Sequence, residues 1–172
     1  MAEYKDLRLN RIAETPNGDQ IGTVTQVYNN TTGAGEQVYA VVKNTKENTD
    51  DVQEVTVLFR GSTGPDHFWE ETADVWNDWA ENDAVIAKRI VMQSNPSDRD
   101  KSTEQLKASA RALKDVMEKY PNAKINIYGH SLGSMDAQYA MADLEAAQIE
   151  RIQQAYIYNG PDVYRILSPE QR

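Results

Sequence analysis

The sequence contains no cysteine, which removes disulfides, cysteine–zinc sites and thiol catalysis together. Histidine is nearly absent as well. His67 and His130 are the only two in 172 residues, so a histidine-rich metal site is not expected, and nothing calls for a metal or a cofactor. Positive charge is scarce: 18 Lys and Arg stand against 27 Asp and Glu, a formal net charge of −9. That balance argues against nucleic acid as the main partner, because binding it means neutralising phosphates with Lys and Arg. It argues equally against electrostatic attraction to anionic membranes, though not against apolar contact with lipid. No segment approaches the roughly 20 apolar residues of a transmembrane span. The opening stretch, MAEYKDLRLNRIAET, lacks the apolar core of a secretory signal. The expectation is a chain made in soluble form, either cytoplasmic or exported by a route without a cleavable signal.

Hydrophobic residues make up 40% and charged residues 26% of the chain, enough for one domain over residues 1–172 with a substantial core. The first half reads as strands. IGTVTQVY (21–28) and EQVYAVVKN (36–44) flank NNTTGAG, whose Asn and Gly residues suit a hairpin turn. QEVTVLFR (53–60) carries an unbroken apolar run, expected of a strand buried on both faces. Helical spacing then takes over. Trp69, Ala73, Trp76 and Ala80 recur along one face of FWEETADVWNDWAEND. A second helix is predicted from Ser102, which forms a capping-box pattern with Gln105; its stripe is Leu106, Ala110, Leu113, Met117 and Tyr120, and Pro121 stops it. The strand AKINIY, a helix over about 132–147 and the strand QAYIYN follow. Strands alternating with helices predict an α/β sandwich with right-handed crossovers.

The strand AKINIY runs directly into Gly129-His130-Ser131-Leu132-Gly133, a G-x-S-x-G pattern. Such a turn holds the serine in a strained conformation, and the residues two before and two after it must be small to clear neighbouring backbone. The Leu132 N–H, at the start of the following helix, is placed to stabilise an oxyanion. Composition alone produces the pattern in roughly one chain of this length in twenty. The strand before it and the alanine-rich helix after it are what give it weight.

The segment IYGHSLGS resembles the nucleophile elbow of the class 3 lipases, α/β-hydrolase enzymes that cleave acyl esters of glycerolipids. VLFRGST resembles that family's oxyanion-hole strand and loop, VWNDWAEND its following Trp/Asp segment, and AYIYNGPDV the strand after the elbow helix. The resemblance covers roughly residues 37–163. It departs at Ser134, where many members carry a second glycine. It implies an α/β-hydrolase-like three-layer sandwich, with a mostly parallel sheet, an N-terminal β-hairpin and an incomplete C-terminal side. By the same resemblance Ser131 is the nucleophile, and Ser62, through its backbone N–H and hydroxyl, joins the Leu132 N–H in the oxyanion hole. The implied substrate is a lipid or other acyl ester.

The base is harder to place. No histidine follows Ser131, whereas the chain order in α/β-hydrolases is Ser, then acid, then His. His130 adjoins the serine, but neighbouring side chains on such a turn diverge. His67 precedes the serine and reads as a lid or surface residue. Asp162, after the last strand, is a weak candidate for the acid. Trp69, Trp76 and Trp79 read either as a core-facing stripe or as the wall of an acyl groove. The terminal Ser168-Pro169-Glu170-Gln171 spells a helix start, which reads either as a chain stopped early or as a frayed polar tail. Two functions follow as expectations. One is a serine lipase or esterase whose acid and histidine come from a separate C-terminal segment or partner chain, drawn to an exposed sheet edge. The other is an α/β-hydrolase-like binding or assembly module that lacks a triad.

Overall fold

The computed structural model describes residues 7–15, 17–30, 36–60, 104–160 and 162–172. Four strands come first: β1 (Ile12–Glu14), β2 (Gln20–Asn29), β3 (Gln37–Val42) and β4 (Glu54–Phe59). After them come α1 (Glu104–Lys119), β5 (Lys124–His130), α2 (Leu132–Ala142), the short α3 (Ala146–Ile149) and β6 (Ile152–Tyr158). The strands form one six-stranded sheet in sequential order.

The expectation of a mostly parallel sheet is corrected here. β1 to β4 pair antiparallel, and only β4 with β5 and β5 with β6 run parallel. The reason lies in the connections. The links between the first four strands are too short for a crossover, which takes a dozen or more residues and usually a helix. Among the described residues the α-helices fall between Glu104 and Ile149, and there the strands run parallel. The hairpin of β2 and β3 is present, although residues 31–35 at its tip lie outside the described residues. β1 was not anticipated from the sequence; it pairs with the start of β2.

Helices α1 and α2 share one face of the sheet. Leu106, Leu113 and Met117 of α1 and Met135 and Ala137 of α2 join Val38, Val57, Ile125 and Ile127 of the strands in a single buried core. The predicted stripe of α1 is buried at every position, Leu106, Ala110, Leu113, Met117 and Tyr120, because residues three and four apart stack on one helix face. The expected cap at Ser102 lies outside the described residues. Against the opposite face of the sheet pack Ala13, Val24, Tyr39, Val41 and Leu58, all on or beside strands. The second helical layer of a three-layer sandwich is not among the described residues. β4 is apolar and buried on both faces through Val55, Val57, Leu58 and Phe59; on its second face Leu58 clusters with Tyr39 and Val41 of β3 among the described residues. β6 is the outer strand and is largely exposed.

Two polar devices fix the helices. Arg151, just before β6, donates to the carbonyl oxygens of Met117 (3.0 Å), Tyr120 and Ala123 (3.2 Å), tying down the C-terminal turn of α1. Met117 O, in the last turn of α1, lacks an intrahelical donor, while Tyr120 and Ala123 follow the helix and Tyr120 O also accepts from Ala123 N (3.1 Å). Arg151→Ala is expected to lose about 2–3 kcal/mol in chemical denaturation, with Arg151→Lys recovering only part, since a single ammonium cannot span three carbonyls. An unchanged midpoint for the alanine variant would show that water replaces the guanidinium at no cost. The second device explains why the helix expected over 132–147 is two helices. Asp143 accepts from Lys114 Nζ (2.6 Å) and Gln171 Nε2 (2.9 Å), and Glu145 with Gln148 forms a capping box that starts α3 afresh. The capping box read at Ser168 and Gln171 is also present. It closes a single 3₁₀ turn, Pro169–Gln171, that Gln171 ties to Asp143.

Candidate active site

Ser131 stands where β5 gives way to α2, with backbone angles φ 55° and ψ −125°. Among the described residues only Asn10, Ser131 and Asn159 combine a side chain beyond glycine with positive φ. Such a conformation costs on the order of 1–3 kcal/mol and persists only where the surroundings over-determine it. The surroundings here do so on both sides of the peptide. The Ser131 N–H donates to the carbonyl of Tyr158 at the end of β6 (2.9 Å). Its own carbonyl accepts from Ser134 N (3.0 Å) and Ser134 Oγ (2.7 Å).

Close packing forbids side chains around the turn. A Cβ on Gly129 would lie 2.6 Å from the Gly133 carbonyl oxygen and 2.9 Å from Ser134 Cα. A Cβ on Gly133 would overlap the Phe59 carbonyl oxygen and reach within 2.7 Å of the Arg60 carbonyl carbon. Both flanking positions of the motif are therefore small for a reason visible in the backbone. Ser134, read from sequence as a minor departure, has a definite place. Its fully buried hydroxyl holds the Ser131 carbonyl, and Gly160 leaves room for it, since a Cβ on Gly160 would overlap Ser134 Oγ and sit 2.8 Å from Ser131 O.

Leu132 is the first residue of α2, so its N–H lies at the positive end of the helix dipole beside Ser131. Ser62 lies outside the described residues, as do His67 and the three tryptophans. The chain that leads to Ser62 is described as far as Arg60. Phe59 pairs with Gly129, and Arg60 abuts Gly133, so this chain leaves the sheet beside the elbow. His130 alternates with Gly129 along β5 and sits on the sheet face opposite the helices; burial pushes its imidazole below the ordinary histidine value. Asp162 is exposed, and its Oδ1 accepts from Tyr164 N (2.8 Å), opening the 3₁₀ turn Tyr164–Ile166.

Two features of the site were not found from sequence. The first is the Tyr158–Gly160 corner that clasps the elbow. Its signal was Asn159-Gly160, a dipeptide suited to left-handed backbone. The second is Asp136, five residues after Ser131 on the face of α2 that meets α1. It is 1% exposed and accepts from Gln105 Nε2 (2.9 Å), and its Oδ1 has no hydrogen-bond partner among the described residues. Burial raises its pKa from an ordinary 3.8 to about 7; Gln105 and Ser109 pull it down, while nearby Glu36 adds to the rise. Its signal was a lone acid in the otherwise uncharged LGSMDAQYAMA.

A family model described as Mbeg1-like matches residues 99–171, a stretch that holds α1, the elbow, α2 and β6 and is less than half of the chain. No curated protein matches. Among solved structures, a fungal lipase in complex with an inhibitor, described as a model for interfacial activation in lipases, is similar at 18% identity with a TM-score of 0.38. The match covers 74% of this chain and 42% of the lipase, so the chain spans less than half that enzyme's length.

Proposed function

We propose that Ser131 is the nucleophile of a serine esterase of the lipase type, which cleaves acyl esters of lipids through an acyl-serine intermediate. The observation that carries this reading is the strained Ser131 backbone, at φ 55° and ψ −125°, on a turn from strand to helix that is locked from both sides. A structural serine has no need of that conformation; a nucleophile does, because it lifts the hydroxyl clear of the sheet. In this reading the Leu132 N–H is one oxyanion donor and Ser62 supplies the other. The finer assignment, to the class 3 lipases, rests on the motif resemblance of 37–163.

A hydroxyl without a general base is a poor nucleophile, and loss of the histidine removes most of the rate. His130 lies on β5 facing away from the helices, and no histidine follows it. In this reading the base is either His67, which lies outside the described residues, or a histidine of another polypeptide segment or partner chain. The placement of His130 also favours a second reading, a binding or assembly module with an elbow but no triad. The two readings part on one experiment. A fluorophosphonate probe is applied to the 172-residue chain and to a form extended or complemented by a histidine-bearing segment, with Ser131→Ala as control. The chain alone is expected to label weakly and to turn over esters near background. Labelling in the supplemented form that Ser131→Ala abolishes supports the esterase. No labelling in either form overturns it in favour of the module.

A further inference from the structure

The two outer strands of the sheet differ. β1 is three residues long, breaks register between Ala13 and Glu14, and ends in that charged residue. Shortness, irregularity and charge are the devices that keep a sheet edge from pairing with another chain. β6 lacks them over Gln154–Tyr158, where it pairs with β5 residue for residue. The whole strand, Ile152–Tyr158, contains neither a charge nor a proline. Among the described residues no strand lies beyond it, and Ala155, Tyr156 and Tyr158 are exposed.

One hydrogen bond fixes which backbone groups of β6 are open. Tyr158 O accepts from Ser131 N (2.9 Å), so the peptide groups of Tyr158 point toward β5. These groups alternate in direction along a strand. Those of Tyr156 and Gln154 therefore also face β5, and those of Ala155 and Ile157 face outward. A second β6, laid antiparallel with a two-fold axis at Tyr156, answers both. Ala155 of each copy exchanges its backbone bonds with Ile157 of the other, a small side chain against a large one on the helix side. On the opposite face Tyr156 meets its own counterpart, and Gln154 meets Tyr158. The stack of Tyr128 on Tyr156 (centroids 4.8 Å apart) is thereby continued into the second copy, and cross-strand aromatic pairs of this kind are stabilising. Charge also favours a copy at this place. A symmetric contact sets each residue near its axis against its own kind, which penalises acidic faces of a chain with net charge −9. β6 puts no charge there.

We propose that the β6 edge joins two copies of this chain, antiparallel and in register about Tyr156, into one continuous sheet. The proposal stands independently of the esterase reading. Sedimentation equilibrium of the 172-residue chain is expected to show monomer and dimer in exchange. Ala155→Pro removes an outward N–H and spares the β5 ladder, while Tyr156→Lys sets two ammonium groups side by side. Each is expected to weaken the dimer about tenfold or more. Disulfide cross-linking reads the register, and the chain has no native cysteine to confuse it. Facing residues of a non-hydrogen-bonded pair have Cα atoms about 4.5 Å apart, within reach of a disulfide. Tyr156→Cys is therefore expected to give a covalent dimer under mild oxidation. Gln154→Cys is not, because its counterpart lies about 14 Å away along the strand. The proposal is overturned by a monomer at every concentration, by a dimer that both Ala155→Pro and Tyr156→Lys leave intact, or by cross-linking of Gln154→Cys in preference to Tyr156→Cys.

Discussion

Gly133→Ala is expected to destabilise the protein by about 3 kcal/mol or more, the upper part of the range for overpacking. The methyl would overlap the Phe59 carbonyl oxygen and crowd the Arg60 carbonyl carbon, both of them backbone. Neither can rotate aside. Phe59 is fixed by pairing with Val38 and Gly129 on its two sides, so β4 would have to part from the elbow. Gly160→Ala makes an instructive comparison. Its most severe conflict is with the Ser134 side chain, so adding Ser134→Gly should restore much of the lost stability. A remaining 2.8 Å approach to Ser131 O keeps that rescue partial. No second substitution of a side chain should rescue Gly133→Ala. Urea denaturation of the three variants decides the matter. A Gly133→Ala midpoint close to the parent's would mean that the strand and the elbow are not packed as described.

Asp136→Asn is expected to stabilise the protein at pH 8 and to have little effect near pH 4. The sign follows from proton linkage. Burial raises the folded-state pKa to about 7 from an ordinary 3.8. Between those values the folded chain holds a proton that the unfolded chain has released, so stability falls as pH rises through that window and is level above it. For a group this buried the loss amounts to about 2–4 kcal/mol. Asparagine cannot ionise and keeps an acceptor for Gln105 Nε2, so it escapes the loss, with a net gain of about 1–3 kcal/mol at pH 8. All other titrations are common to parent and variant, and the difference between their stability–pH curves isolates Asp136. Parallel curves would show that the carboxyl is solvated, contrary to its burial between α1 and α2.

The parts of this molecule legible from sequence are those governed by short-range rules. The α1 stripe was readable because its apolar residues recur every three or four positions, and the two-sided burial of β4 because VTVLF leaves no polar face. The capping box at Ser168 depends on four consecutive residues and formed as read. The elbow belongs to the same class: G-x-S-x-G names the small residues that the turn demands. Reading failed where a partner lay far along the chain. The antiparallel pairing of β3 with β4 could not be separated from a parallel one, since apolar runs carry no strand direction. The break between α2 and α3 depends on Lys114 and Gln171 meeting at Asp143, 29 residues after one and 28 before the other.

By itself the sequence determined that no thiol chemistry operates here, that α1 has a single buried face, and that Ser131 sits on a strand-to-helix turn hemmed by glycines. Each is a matter of composition or of residues within a helical turn of one another. Only the tertiary structure decided why those glycines admit nothing larger, since the obstructing atoms belong to β4 and to the elbow's own helix. It also decided that Ser134 and Gly160 close the turn from the side of β6 and that an acid is buried behind the elbow. These depend on which strands lie side by side, and that is set by the whole sheet rather than by any stretch of it.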